Sequence, residues 1–194
     1  MIRTAFAIAA LASASAAFAQ TSAPAGAPQE VLQRQAHQQQ RIDNGLKDGS
    51  LGTREAARLE KKEAALDRTI ARDEKHGLTL QEAHRINQRE NALSRRIHAE
   101  RTNGVRGNPN SASSRRMQAD VQRNANEDRR MAQGAGAGQL SPKEISTVER
   151  GQAHVDRREA QAGADGHVGA GEQARVQRAE NRQSRHIHHD RAVN

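Results

Sequence analysis

Histidine, acid and glycine are the residue types in this 194-residue chain whose spacing suggests chemistry. The histidines gather near the end, in Arg185-His186-Ile187-His188-His189-Asp190. On a helix His186 and His189 lie one turn apart, so His186, His188, His189 and Asp190 form a candidate site for a Zn, Ni or Cu ion, the metals that imidazole nitrogen suits. No other cofactor is expected.

The acids form a second set. Gln39, Glu63 and Glu90 interrupt three apolar stripes at matching places, and Asp128, Gln152 and Glu180 interrupt three more. If the helices that carry them pack as triplets, carboxylates and amides meet at one level, and carboxylates projecting inward from a bundle are one way to bind metal. The Glu-x-x-His pair of di-iron bundles is missing, because Leu93 follows Glu90 by three and Gln183 follows Glu180 by three. The expectation is therefore a polar layer that sets helix register.

Glycine turns are the third set. In the segment ending at Glu55, Gly49, Leu51 and Glu55 hold the sixth, eighth and twelfth places of an EF-hand loop, but the first, third and fifth places are Asn44, Leu46 and Asp48. A calcium loop needs oxygen at those places, so the turns read as helix stops followed by caps. Ser141 to Glu144 and Thr79 to Glu82 are capping boxes, and Gly52 to Glu55 and Gly169 to Glu172 keep the glutamate behind a glycine cap.

The elements that position these groups come from an internal repeat. With an offset of 89, Arg41 matches Arg130, Gly45 matches Gly134, Leu51 matches Leu140, Glu60 matches Glu149 and Asp67 matches Asp156. Past Gly77 and Gly166 the offset is 90, and Glu90 matches Glu180, Ser94 matches Ser184, His98 matches His188 and Arg101 matches Arg191. The aligned residues for His186 and His189 are Arg96 and Ala99, so the histidine cluster belongs to one half only. Between turns, apolar residues alternate at three and four, as in Ala56, Leu59, Glu63, Leu66 and Ile70, which is the helical period. The expected fold is all-α: a signal segment over 1–19, a tether over 20–28, a three-helix coiled-coil-like repeat over 29–101, a Gly/Asn/Pro/Ser linker over 102–114, and a second repeat over 115–194.

Composition limits function. Met1-Ile-Arg3, an Ala-rich apolar run and Ala17-Phe18-Ala19 form an export signal with a cleavage site, and the run is shorter than the roughly 20 residues of a membrane span. A periplasmic or secreted protein is expected, with no transmembrane segment after cleavage. Beyond residue 19 there is no aromatic ring and the whole chain has no cysteine, which removes base stacking and disulfides. Only 25 Leu, Ile, Val and Met side chains follow residue 19, so a thin core and marginal stability are expected. The net charge of +8, rich in Arg, suits envelope polyanions or protein clients rather than nucleic acid, and leaves oligomers open. Nucleophile-elbow, Walker and H-E-x-x-H sequences are missing, so no enzyme is expected.

The strings "GSLGTREAARLE", "NPNSASSRRMQADVQRN" and "ERGQAHVDRREA" resemble uncharacterised exported bacterial proteins with a doubled G-x-L-T-x-x-E-A helical unit. A weaker similarity, in "LTLQE" and "LSPKE", is to periplasmic stress and metal-response proteins with L-T-x-x-Q motifs, with Glu here in place of the Gln. These features together predict a non-enzymatic exported helical-repeat protein with a binding or structural role in the envelope. Metal binding by the histidine cluster and a periplasmic stress chaperone are the alternatives.

Overall fold

A computed structural model describes residues 21–192, so the expected signal segment lies outside the described residues. The fold is all-α, with α1 (Ala27–Lys47), α2 (Thr53–Asp73), α3 (Leu80–Thr102), α4 (Ala112–Gly136), α5 (Pro142–Ala162) and α6 (Ala170–Ala192). No helix among the described residues is long and apolar enough to cross a membrane.

The four turns end and begin helices as their glycines and glutamates require. Gly49, Gly77, Gly138 and Gly166 have φ of 73°, 84°, 68° and 90°, the left-handed region that costs a side chain little only at glycine. Each following cap then donates its backbone N–H to the glutamate three residues on: Gly52 to Glu55 at 2.9 Å, Thr79 to Glu82 at 3.0 Å, Ser141 to Glu144 and Gly169 to Glu172 at 2.8 Å. The oxygens of the EF-hand-like turn are spent in the same way. Asp48 accepts from the Ser50 N–H and pairs with Arg101 at 2.7 Å, and Leu46 is core.

Matched residues make matched contacts in the two halves. Arg41 donates to the Ser94 hydroxyl at 2.6 Å, and Arg130 to that of Ser184 at 2.8 Å. Leu51 seats on Gly45 and Leu140 on Gly134, where a Cβ would meet the leucine at 2.6 and 3.0 Å. Glycine recurs there because the leucine after the turn folds back onto the helix just ended.

The two halves pack on each other. The most extensive packing is of α1 on α4 and of α2 on α5, while α3 lies against α1 and α2 and α6 lies against α4 and α5. A central four-helix arrangement results, with α3 and α6 outside it. The α2–α5 pair explains why the cores are thicker than the 25 aliphatics suggest. Besides the stripe through Leu59, Leu66 and Ile70, α2 buries a second one, Thr53, Ala57, Glu60, Ala64, Asp67 and Ala71. Its alanines let α5 approach closely, and the Ser146 hydroxyl donates to the Ala71 carbonyl between them. Residues 21–23, expected as tether, are fastened to the α3 cap: Ala23 N–H donates to the Leu78 carbonyl at 2.8 Å and Leu80 N–H to that of Thr21 at 2.9 Å. The linker is held too, since the Gly107 N–H donates to the Gly49 carbonyl at 3.0 Å.

Candidate metal centre

Glu60, Glu63 and Asp67 on α2, Asp128 on α4, and Glu149, Asp156 and Glu159 on α5 all have 2 % exposure or less. None of the seven forms an ion pair among the described residues. Helix periodicity puts them together: Glu60 and Asp67 are seven residues apart, as are Glu149 and Asp156, with an alanine between, so each pair lies on the stripe where α2 meets α5.

Glu60, Asp156 and Glu159 each offer one oxygen within 4.8 Å of the others. The donors around them are amides. Gln39 Nε2 reaches Glu60 at 3.0 Å, Asn124 Nδ2 reaches Asp156 at 3.1 Å and Glu159 at 2.8 Å, and Gln152 Nε2 reaches Asp156 at 3.2 Å. The Oε1 atoms of Gln39 and Gln152 and Oδ1 of Asn124 are buried with no hydrogen-bond partner, as are Glu60 Oε1, Asp156 Oδ2 and Glu159 Oε1. Turning an amide about its last bond exchanges donor for oxygen.

Burial raises the proton affinity of these acids because the charged form loses its water. Glu60 is pushed up to about 7. Burial likewise lifts Asp156 and Glu159 well above the carboxylate range, and the neighbouring acids lift them further. A cluster of this kind reaches neutrality by binding protons or by binding cations.

No family model, curated protein or solved structure matches the chain. Chemistry alone ranks the groups. Glu90 and Glu180, expected in the polar layer, each have a guanidinium: Arg34 lies 3.1 Å from Glu90, and Arg123, its repeat-mate, 3.5 Å from Glu180. Glu63, Asp128, Gln39 and Gln152 are all buried, with Gln39 bonded to Glu60 and Gln152 to Asp156. Of the residues expected in the layer, the outer glutamates Glu90 and Glu180 are ion-paired, and Glu63 and Asp128 form no ion pair among the described residues.

The C-terminal residues sit differently. His186 Nε2 lies 3.5 Å from Asp190 Oδ2 in a groove that Arg150 and Arg182 also line, whereas His188 lines another groove with Arg130 and Arg191, and His189 is exposed. The structure brings His186 and Asp190 together and sends His188 elsewhere. Sequence reasoning passed over Glu60, Asp67, Glu149, Asp156 and Glu159. The signal for four of them was present in the repeated E-x-x-x-A-x-x-D-R of "EKKEAALDR" and "ERGQAHVDR".

Proposed function

We propose that this chain is an exported, non-enzymatic protein of the cell envelope, periplasmic or secreted, that binds a hard polyvalent cation inside its helical bundle. The observation that carries this reading is the Glu60–Asp156–Glu159 group, three buried carboxylates converging within 4.8 Å with amides and no guanidinium or ammonium beside them. The donor set is all oxygen, which suits ions of the calcium, manganese or higher-charge class rather than the Zn, Ni or Cu of the histidine reading. Burial supports binding over turnover, since carboxylates at 0–1 % exposure offer a substrate no approach. The basic exterior fits attachment to envelope polyanions. Leu80 and Val105 are the large apolar side chains exposed among the described residues, which is little surface for an unfolded client.

Titrating Mn²⁺, Ca²⁺ and Tb³⁺ into the full chain by calorimetry tests the reading. Saturable binding of at least one ion is expected, lost in the Glu60→Gln, Asp156→Asn, Glu159→Gln variant and retained when His186, His188 and His189 are all replaced by Ala. Binding that survives the first variant and disappears in the second would return the site to the C-terminus.

A further inference from the structure

The seam between α5 and α6 is basic along its length. At one end Arg150 and His154 of α5 and Arg182 and His186 of α6 line a groove of about 460 Å³, and no acid lines it among the described residues. Further along, Arg158 of α5 and Arg175 of α6 line a smaller groove, where the acid is Glu172, whose carboxylate receives the Gly169 N–H at 2.8 Å. Arg150, His154 and Arg158 recur every four residues, so they form a row about 12 Å long on one face of α5.

The guanidiniums of this row have no carboxylate. Arg158 Nε donates to His154 Nε2 at 2.8 Å and Arg157 Nη2 lies 3.3 Å from His154 Nδ1. An imidazole nitrogen that accepts from a guanidinium belongs to a neutral ring, so His154 stands where Asp73 stands beside Arg85 and Asp48 beside Arg101, without their charge. The side chains of Arg150 and Arg182 form neither an ion pair nor a hydrogen bond among the described residues. His186 is the lining residue with an acid beside it, Asp190 at 3.5 Å.

Comparison of the halves shows that packing does not require this lining. The corresponding groove between α2 and α3 has Ala65, Ala92 and Leu93 at the places of His154, Arg182 and Gln183, with Lys62 and Arg89 beside them, and its Arg96, at the place of His186, pairs with Glu100 at 2.6 Å. Lys62 holds the place of Gly151, where a Cβ would collide with the Gln183 side chain. The second half keeps this glycine inside α5, although glycine weakens a helix, and Gln183 lies over it and donates to the Val148 carbonyl at 2.7 Å. One helix pair thus closes on apolar side chains, and its repeat-mate on a polar floor with unpaired guanidiniums on both walls.

We propose that the α5–α6 seam binds a linear polyanion bearing phosphate groups. Guanidinium forks match phosphate oxygens. A tetrahedral phosphate offers oxygens to Arg150 on one wall and Arg182 on the other, whereas the two oxygens of a carboxylate lie in one plane. A cationic row about 12 Å long takes several phosphates in succession. The seam rests on one part of the proposed function, attachment to envelope polyanions, and needs no interior cation.

Calorimetry on the full chain, in buffer without polyvalent metal and at about 150 mM salt, compares long-chain inorganic polyphosphate, inorganic phosphate and polyglutamate. The proteins are the wild type, the Arg150→Gln, Arg182→Gln variant, and the Arg106→Gln, Arg115→Gln variant, which removes the same charge from exposed positions of the linker and α4. Saturable binding of polyphosphate by the wild type is expected, at least roughly tenfold tighter than that of polyglutamate or inorganic phosphate, weakened roughly tenfold in the seam variant and changed less than about twofold in the other. Equal weakening in the two variants overturns the seam and leaves attachment to the basic exterior as a whole. Polyglutamate bound as tightly as polyphosphate overturns the phosphate preference, and inorganic phosphate bound as tightly overturns the polymer. No polyphosphate binding by the wild type overturns the seam and the attachment together, while cation binding stands or falls on the metal titration alone.

Discussion

A buried carboxylate beside an arginine and one beside an amide are different chemical objects. Glu90 is fully buried and burial raises it to about 7, but Arg34 opposes that rise and supplies the countercharge. Removing one member of such a pair leaves the other's charge stranded. Arg34→Met is therefore expected to destabilise the fold by roughly 1–3 kcal/mol at pH 8. The loss should be smaller at pH 6, where Glu90 takes up a proton; urea unfolding followed by circular dichroism at both values reads the difference. Equal losses would mean that Arg34 acts through packing alone. Glu60 has no such partner, so Glu60→Gln is expected to raise stability at pH 8 in chelator. This distinction was illegible in the sequence. Glu63, Glu90 and Glu180 occupy like places in their stripes, and only the structure shows that Arg34 and Arg123 reach two of them.

Helix boundaries were legible because they depend on neighbours in sequence. A glycine that adopts positive φ and a glutamate three residues past the cap specify the turn locally, and all four turns carry both. Replacing Ser141 and Glu144 by Ala removes both reciprocal bonds of one box, with an expected loss of about 1–2 kcal/mol. A thermal melt by circular dichroism reads it, the chain after residue 19 having no aromatic to report by fluorescence. Gly45→Ala should be costlier than a surface Gly→Ala change, since its Cβ would fall 2.6 Å from Leu51. Packing partners were less legible. The heptad stripe predicted which aliphatics are buried, yet counting aliphatics ignored the stripe of Ala57, Glu60, Ala64, Asp67 and Ala71. Alanine contributes little hydrophobic area but sets how closely two helices approach, and acids on a helix face read as solvated until a partner helix covers them. The repeat was the remedy: Glu60/Glu149, Ala64/Ala153 and Asp67/Asp156 recur as identical pairs.

At the scale of the whole molecule, charge is sorted by depth. The chain is net +8, yet nine acids, the seven above with Glu74 and Asp120, lie inside with no ion pair among the described residues, so the exterior is more basic than the net value states. Stability therefore depends on pH in a direction opposite to that of most ion-paired proteins. Burial raises Glu60 to about 7 and Glu149 to about 8 from an ordinary 4.5, so between those limits the folded chain binds more protons than the unfolded one. Stability from these acids is complete below 4.5 and is lost as pH rises through 7 to 8. Asp73 works the other way. Burial pushes it up, but Arg72 and Arg85 hold it below its usual range, and its contribution is lost in acid. In chelator the protein should thus be most stable in mild acid and should weaken steadily toward pH 8. A bound cation reverses the slope: it requires the carboxylates deprotonated, displaces their protons, and at a hundred times its Kd adds about 2.7 kcal/mol. Urea midpoints from pH 5 to 8, with chelator and with saturating Mn²⁺ or Tb³⁺, are expected to diverge as pH rises. Parallel curves would mean that the interior acids are neutralised by protons alone.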